Sequence, residues 1–146
     1  MTVKLSTGLR NRMMATGSLK SGLDGGRIHV YAGPVPGSAD ASIGTATLLC
    51  TYTLNSGATG LTFDSAAVDG VLSKTPSETW SGVNVDTGTA TFYRHVAAGD
   101  DGTESITALR TQGSVAQIGA DLNMNPAFVA GQTRLIEYYV LALPTA

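Results

Sequence analysis

The chain has 146 residues, enough for one domain with a buried core and too few for two ordinary ones. Its 18 Gly, 5 Pro, 14% charged and 42% hydrophobic residues give the turn-rich, lightly charged make-up of all-β proteins, with too much apolar content for disorder. The net charge of -2 is uneven: Lys4, Arg10, Arg12, Lys20 and Arg27 face only Asp24 in residues 1–27 while the rest is acidic, which points to an acidic protein surface as partner, a neighbouring copy of this chain being one such surface.

Residues 1–26 read as an N-terminal arm. Ser6 or Thr7 can cap a helix of about two turns, in which Leu5, Leu9 and Met13 align at i, i+4 and i+8. Gly8 and Gly17 limit that helix, and Leu19 and Leu23 repeat the spacing before Asp24-Gly25-Gly26 breaks the chain. So short a helix is not stable alone. Its apolar stripe must lie on this chain's own sheet or on another subunit, and both options stay open here.

From Arg27 the apolar period becomes two. In "RIHVY", Ile28 and Val30 face one way and Arg27, His29 and Tyr31 the other. Further strands are expected at 46–54, 70–73, 79–83, 89–96, 114–118 and 134–143, separated by the turn signals "NSGATG", "VDG", "NVDTG", "AAGDDGTE" and "AGQT". This spacing, without amphipathic helices of normal length between strands, predicts an all-β fold: an antiparallel, jelly-roll-like β-sandwich over 27–146 with a short N-terminal helical arm.

Two strands carry more information than the rest. In "TATFYRHV", Ala90, Phe92 and Val96 oppose Thr91, Tyr93 and His95, and Arg94 shares the apolar register, so it is expected to reach an edge or a carboxylate. "RLIEYYVLAL" is apolar on both faces, with Leu135, Tyr139, Leu141 and Leu143 on one and Ile136, Tyr138, Val140 and Ala142 on the other. Such a strand is either covered on both sides or takes one face into an intermolecular contact, so a homo-oligomer, dimer or trimer, is expected.

Reactive groups are sparse. Cys50 lies in the apolar run "TATLLCTYTL" and reads as a buried small hydrophobe. His29 and His95 sit on the more polar faces of their strands and form a pair only if those strands adjoin. Asp100, Asp101 and Glu104 in "GDDGTE" lack the spacing of a calcium loop and read as a hairpin turn. The glycines of "DGGRI" precede a strand, whereas a phosphate cradle follows one. No G-x-S-x-G, P-loop or triad order is present, so no enzyme, catalytic residue, cofactor or metal is expected. Trp80 and the tyrosines at 31, 52, 93, 138 and 139 could form a sugar platform, although one Trp in a domain of this size is more often core. Five N-terminal cations without interleaved aromatics do not make a nucleic-acid interface. No apolar stretch approaches the ~18 residues of a membrane span, and the start lacks signal-peptide features; folding in a reducing cytoplasm is expected.

The ordered segments "STGLRN", "GGRIHVYAGPVPGSADAS", "GVLSK" ahead of "TWSGV", "GTATFYRHV" and "GSVAQIGADLNMN" together resemble a family of small virion structural proteins of tailed bacteriophages. The resemblance implies a capsid decoration or cement protein, made in the host bacterial cytoplasm, that sits on the capsid surface and clamps the major capsid protein. A tail or head–tail connector component, or a carbohydrate-binding receptor module, is the alternative. The partner-facing residues expected are Leu9, Arg10, Arg12, Met13, Met14, Tyr139 and Leu141.

Overall fold

The computed structural model describes residues 3–143. In chain order the elements are β1 (Lys4–Leu5), α1 (Thr7–Ala15), α2 (Leu19–Leu23), β2 (Arg27–Ala32), β3 (Thr47–Leu54), β4 (Val71–Ser73), β5 (Trp80–Val83), β6 (Gly88–Thr89), β7 (Phe92–Val96), β8 (Arg110–Ala116), β9 (Leu122–Asn123), β10 (Ala127–Phe128), β11 (Thr133–Ile136) and β12 (Val140–Ala142). The protein is therefore mainly β with a short N-terminal helical segment. The main sheet runs β1-β8-β7-β2-β3-β5-β11, with β9 also on β8; β10-β6 and β12-β4 form two small sheets. Every pair is antiparallel except β8-β9.

Side chains alternate across a strand, so the register divides the main sheet into two faces. Opposite Ile28 lie Tyr52 on one side and His95 on the other, and opposite Val30 lie Cys50 and Tyr93. This inner face joins Trp80, Val115 and Ile136 in one buried cluster, to which α1 and α2 add Leu9, Leu19 and Leu23 and the small sheets add Leu72, Phe128 and Leu141. The outer face carries His29, Arg94 and Gln112 side by side. Over it lies the long segment between β2 and β3, held by its own carbonyls: Arg94 donates to Ser38 O and Ala41 O, Arg110 to Ala39 O, and Gln112 to Pro36 O.

The N-terminal segment is part of this body. β1 pairs with β8, Ser6 Oγ accepts from Arg110 N and donates to Ala108 O, and Lys20 donates to Phe63 O. Of the two options for the helical stripe, the structure uses this chain's own core. Of the "DGGRI" glycines, Gly25 takes a left-handed φ of 80° and Gly26 serves close packing. A Cβ at Gly26 would stand 2.1 Å from Val96 O, and one at Gly60 2.0 Å from Gly25 O, so backbone approaches backbone where a side chain would intervene.

Three expected strands differ. The run at 89–96 divides into β6 and β7, because Ala90 N bonds to Pro126 O whereas Thr91 N bonds to Tyr31 O, so the chain changes partner between them. The strand expected at 114–118 starts at Arg110, hidden by buried polar residues Arg110, Thr111 and Gln112. The run at 134–143 divides into β11 and β12 around residues 137–139 and serves two sheets in turn.

Candidate partner-contact surfaces

α1 is anchored at its start by two side chains. Ser6 Oγ accepts from Leu9 N at 3.2 Å, and the Asp40 carboxylate, reaching over from the outer-face segment, accepts from Thr7 N at 2.8 Å and Thr7 Oγ1 at 2.6 Å. The Thr7 hydroxyl holds the Asp40 carboxyl below its usual range, and the resulting anion suits a helix N-terminus. Sequence reasoning missed Asp40, because nothing local shows that residue 40 meets residue 7.

The expected contact residues separate into three groups. Leu9, Tyr139 and Leu141 are 0%, 3% and 4% exposed, which corrects their assignment to a partner surface: their apolar area is already spent inside this chain. Tyr139 hydroxyl lies 3.2 Å from His95 Nδ1, and Leu141 is turned inward by the pairing of β12 with β4. Met13 is half-buried against the core, and Arg12 folds back to donate to Ser21 Oγ, tying α1 to α2. Arg10 and Met14 point outward, and Met14 is 88% exposed. On another face of α1, Gly8, Asn11 and Ala15 line a shallow groove of about 380 Å³ against residues 106–109, which include the exposed Ile106.

Most of the polar groups that invited a chemical reading have partners in the fold, although His95 Nε2 and Arg94 Nη1 are buried without one. β2 and β7 do adjoin, but His29 pairs across to Arg94 and Ile28 to His95, so the two histidines lie on opposite faces of the sheet and cannot share an ion. His29 Nδ1 meets Thr51 Oγ1 at 2.9 Å, and burial lowers its pKa. His95 is fully buried among Phe63, Trp80 and Tyr139, and burial pushes it down to about 3, so it is neutral. Its expected place on a polar face is thus corrected: β7 is covered on both sides. Asp100 binds Arg110 through Nε and Nη2 at 2.6 and 3.0 Å, and Asp101 caps the turn at Thr103. Arg94 finds Gln112 Oε1 and backbone carbonyls in place of the expected carboxylate or edge. Burial pushes the Cys50 thiol up to about 11, where it stays protonated at neutral pH.

Trp80 is 0% exposed, with Nε1 donating to Glu78 Oε1 at 2.9 Å and its ring against Tyr139. Tyr31, Tyr52, Tyr93 and Tyr139 are buried as well, leaving Tyr138 as the exposed tyrosine at 77%. No shared aromatic groove forms around Trp80. Tyr138 instead borders a cleft of about 550 Å³ between residues 121–125 and 134–140. Among the described residues no cluster of three or more His, Cys, Asp or Glu could hold a metal, and no helix is long and apolar enough to cross a membrane.

No protein-family model, curated protein or solved structure matches the chain. Function is therefore read from the fold and from the surfaces it leaves exposed.

Proposed function

We propose that the protein is a non-enzymatic structural component of a tailed-phage virion that binds the outside of the capsid and cements major capsid protein subunits. The resemblance of its ordered segments supplies the family. The observation that carries the mechanism is the outward face of α1, where Arg10 and Met14 lie exposed one helical turn apart on a body that anchors the helix at Ser6, Asp40 and Arg12. Methionine packs adaptably on irregular apolar surface, and arginine pairs with the carboxylates of an acidic neighbour. A ligand that binds assembled shell and not free subunits shifts the equilibrium toward the shell, and repetition over a lattice multiplies weak contacts.

The finer fold belongs to the same proposal: a jelly-roll-like sandwich, supported by the small sheets' contribution of Leu72, Phe128 and Leu141 to the cluster under the main sheet. Cryo-electron microscopy of the particle that carries the protein tests the function. Copies numbered in the hundreds on the shell, with α1 against the capsid protein, are expected. A dozen or fewer at the tail or connector would replace the capsid reading, and absence from the particle would end it. Incorporation should also weaken in Met14→Glu and Arg10→Glu and at high salt.

A further inference from the structure

The two ends of the main sheet differ in a way that assigns the oligomer a surface. At one end β1 is two residues long and carries Lys4, a charge that discourages edge pairing. At the other end β11 presents "TRLI" without proline, lysine or register shift, and no described strand pairs with its far side.

The hydrogen-bond parity of that edge follows from one contact. Asn84 N donates to Gln132 O, so position 132 faces β5; Thr133 therefore faces away, Arg134 faces β5 and Leu135 faces away. The N–H and C=O groups of Thr133 and Leu135 thus point along the open edge. Leu135 is 51% exposed on the outer face, close to Val83 at 47%. Arg134, the one cation on the strand, does not guard the edge. Its guanidinium donates to Asn125 O and Ala127 O and lies 4.1 Å over the Phe128 ring.

We propose that β11 pairs antiparallel with β11 of a second copy about a two-fold axis through Leu135, continuing the sheet from one chain into the next. An antiparallel edge is its own complement under such an axis. Leu135 then opposes its own image and exchanges two N–H···O=C bonds with it, and Leu135 buries its exposed side chain against the same side chain of the partner copy. In this register Arg134 faces Ile136 and Thr133 faces Glu137, so neither charge meets itself. A register centred on Arg134 would place two guanidinium groups on the axis, and one centred on Glu137 two carboxylates. Because β1 at the other end is only two residues long and carries Lys4, pairing closes at two copies and does not propagate into a fibre.

Sedimentation velocity of the full chain from about 1 to 200 µM tests this without any particle, so its failure and that of the capsid reading are separate events. The wild type is expected to dimerise. Leu135→Lys places a charge at the seam, and Leu135→Pro removes a donor that β5 does not use, a change edge strands accept. Each should raise the dimer dissociation constant about tenfold or more while the near-ultraviolet dichroism of Trp80 stays unchanged; if the proline variant loses that signal, the lysine variant decides. A monomer throughout the range, a trimer, or a dimer indifferent to the folded variants would overturn the proposal.

Discussion

Replacing Leu9 by alanine separates a packed N-terminal segment from a loose tether. Leu9 is 0% exposed and shares its cluster with Leu23, Ile28 and Tyr93. Its Cδ1 lies 3.1 Å from where a Cβ on Gly22 would begin, so the neighbour on α2 has no side chain to swing into the void. Truncation to alanine removes hydrocarbon worth about 2.4 kcal/mol at ~0.8 kcal/mol per methylene. The cavity left behind brings the loss to about 3–5 kcal/mol. For a chain near 150 residues this lowers the melting midpoint by roughly 6–20 °C, and it is a large part of a total stability of about 5–15 kcal/mol. Urea titration followed by fluorescence of the buried Trp80 measures it, with Met14→Ala as a control expected within about 0.5 kcal/mol of wild type. Deleting residues 1–22 should accordingly destabilise the whole body. A Leu9→Ala protein as stable as wild type would refute the packing, and the deletion would then leave the β-body folded.

Acid should weaken the fold before the carboxylates titrate. Burial lowers His95 from 6.5 to about 3, so the unfolded chain binds the proton more readily; stability falls as pH drops below about 6.5, by up to ~1.4 kcal/mol per unit, until about pH 3. Asp40, lowered by its bond from Thr7, adds a loss of the same sign at lower pH. Urea midpoints that do not change between about pH 7 and pH 4.5 would contradict a neutral, buried His95. Asp100→Ala should cost about 3–5 kcal/mol, because it leaves the Arg110 guanidinium, whose side chain is 1% exposed, without its carboxylate. Asp100→Asn should cost less, since it keeps an acceptor; a loss below ~1 kcal/mol in the alanine variant would show that the backbone carbonyls of Ala39 and Thr103 suffice.

Strands marked by an apolar run between local turn signals were legible: the expected 46–54, 70–73 and 79–83 lie within a residue of β3, β4 and β5. The Ser6 cap and the extent of α1 were legible for the same reason, being set by neighbours in sequence. What stayed hidden depends on distant partners. Buried polar strands read as loops until the segment they hold is known, which is why Arg110 and Gln112 gave no strand signal although Arg94, in an apolar register, already looked out of place. His95 was placed on a polar face because its own strand alternates; the inner face is wet only in name, since His95, Tyr93 and Tyr139 meet there with little access to water.

The last run, "RLIEYYVLAL", shows how a correct local pattern can carry the wrong geometry. Apolar residues on both faces admitted two explanations, a covered central strand or an intermolecular face, and the run is not a single central strand. It changes sheets between Ile136 and Val140. Ile136 covers the core from the main sheet, then Tyr139 and Leu141 cover the same core from residue 139 and the small sheet, so a single run is apolar on both sides because it is inner surface twice. Leu135, Tyr138 and Leu143, which lie outside that core, remain exposed at 51%, 77% and 47%. The proposed intermolecular role therefore falls not on the buried faces of Tyr139 and Leu141 but on the edge at Leu135, whose backbone pairs with no strand among the described residues on its far side and whose side chain is half exposed.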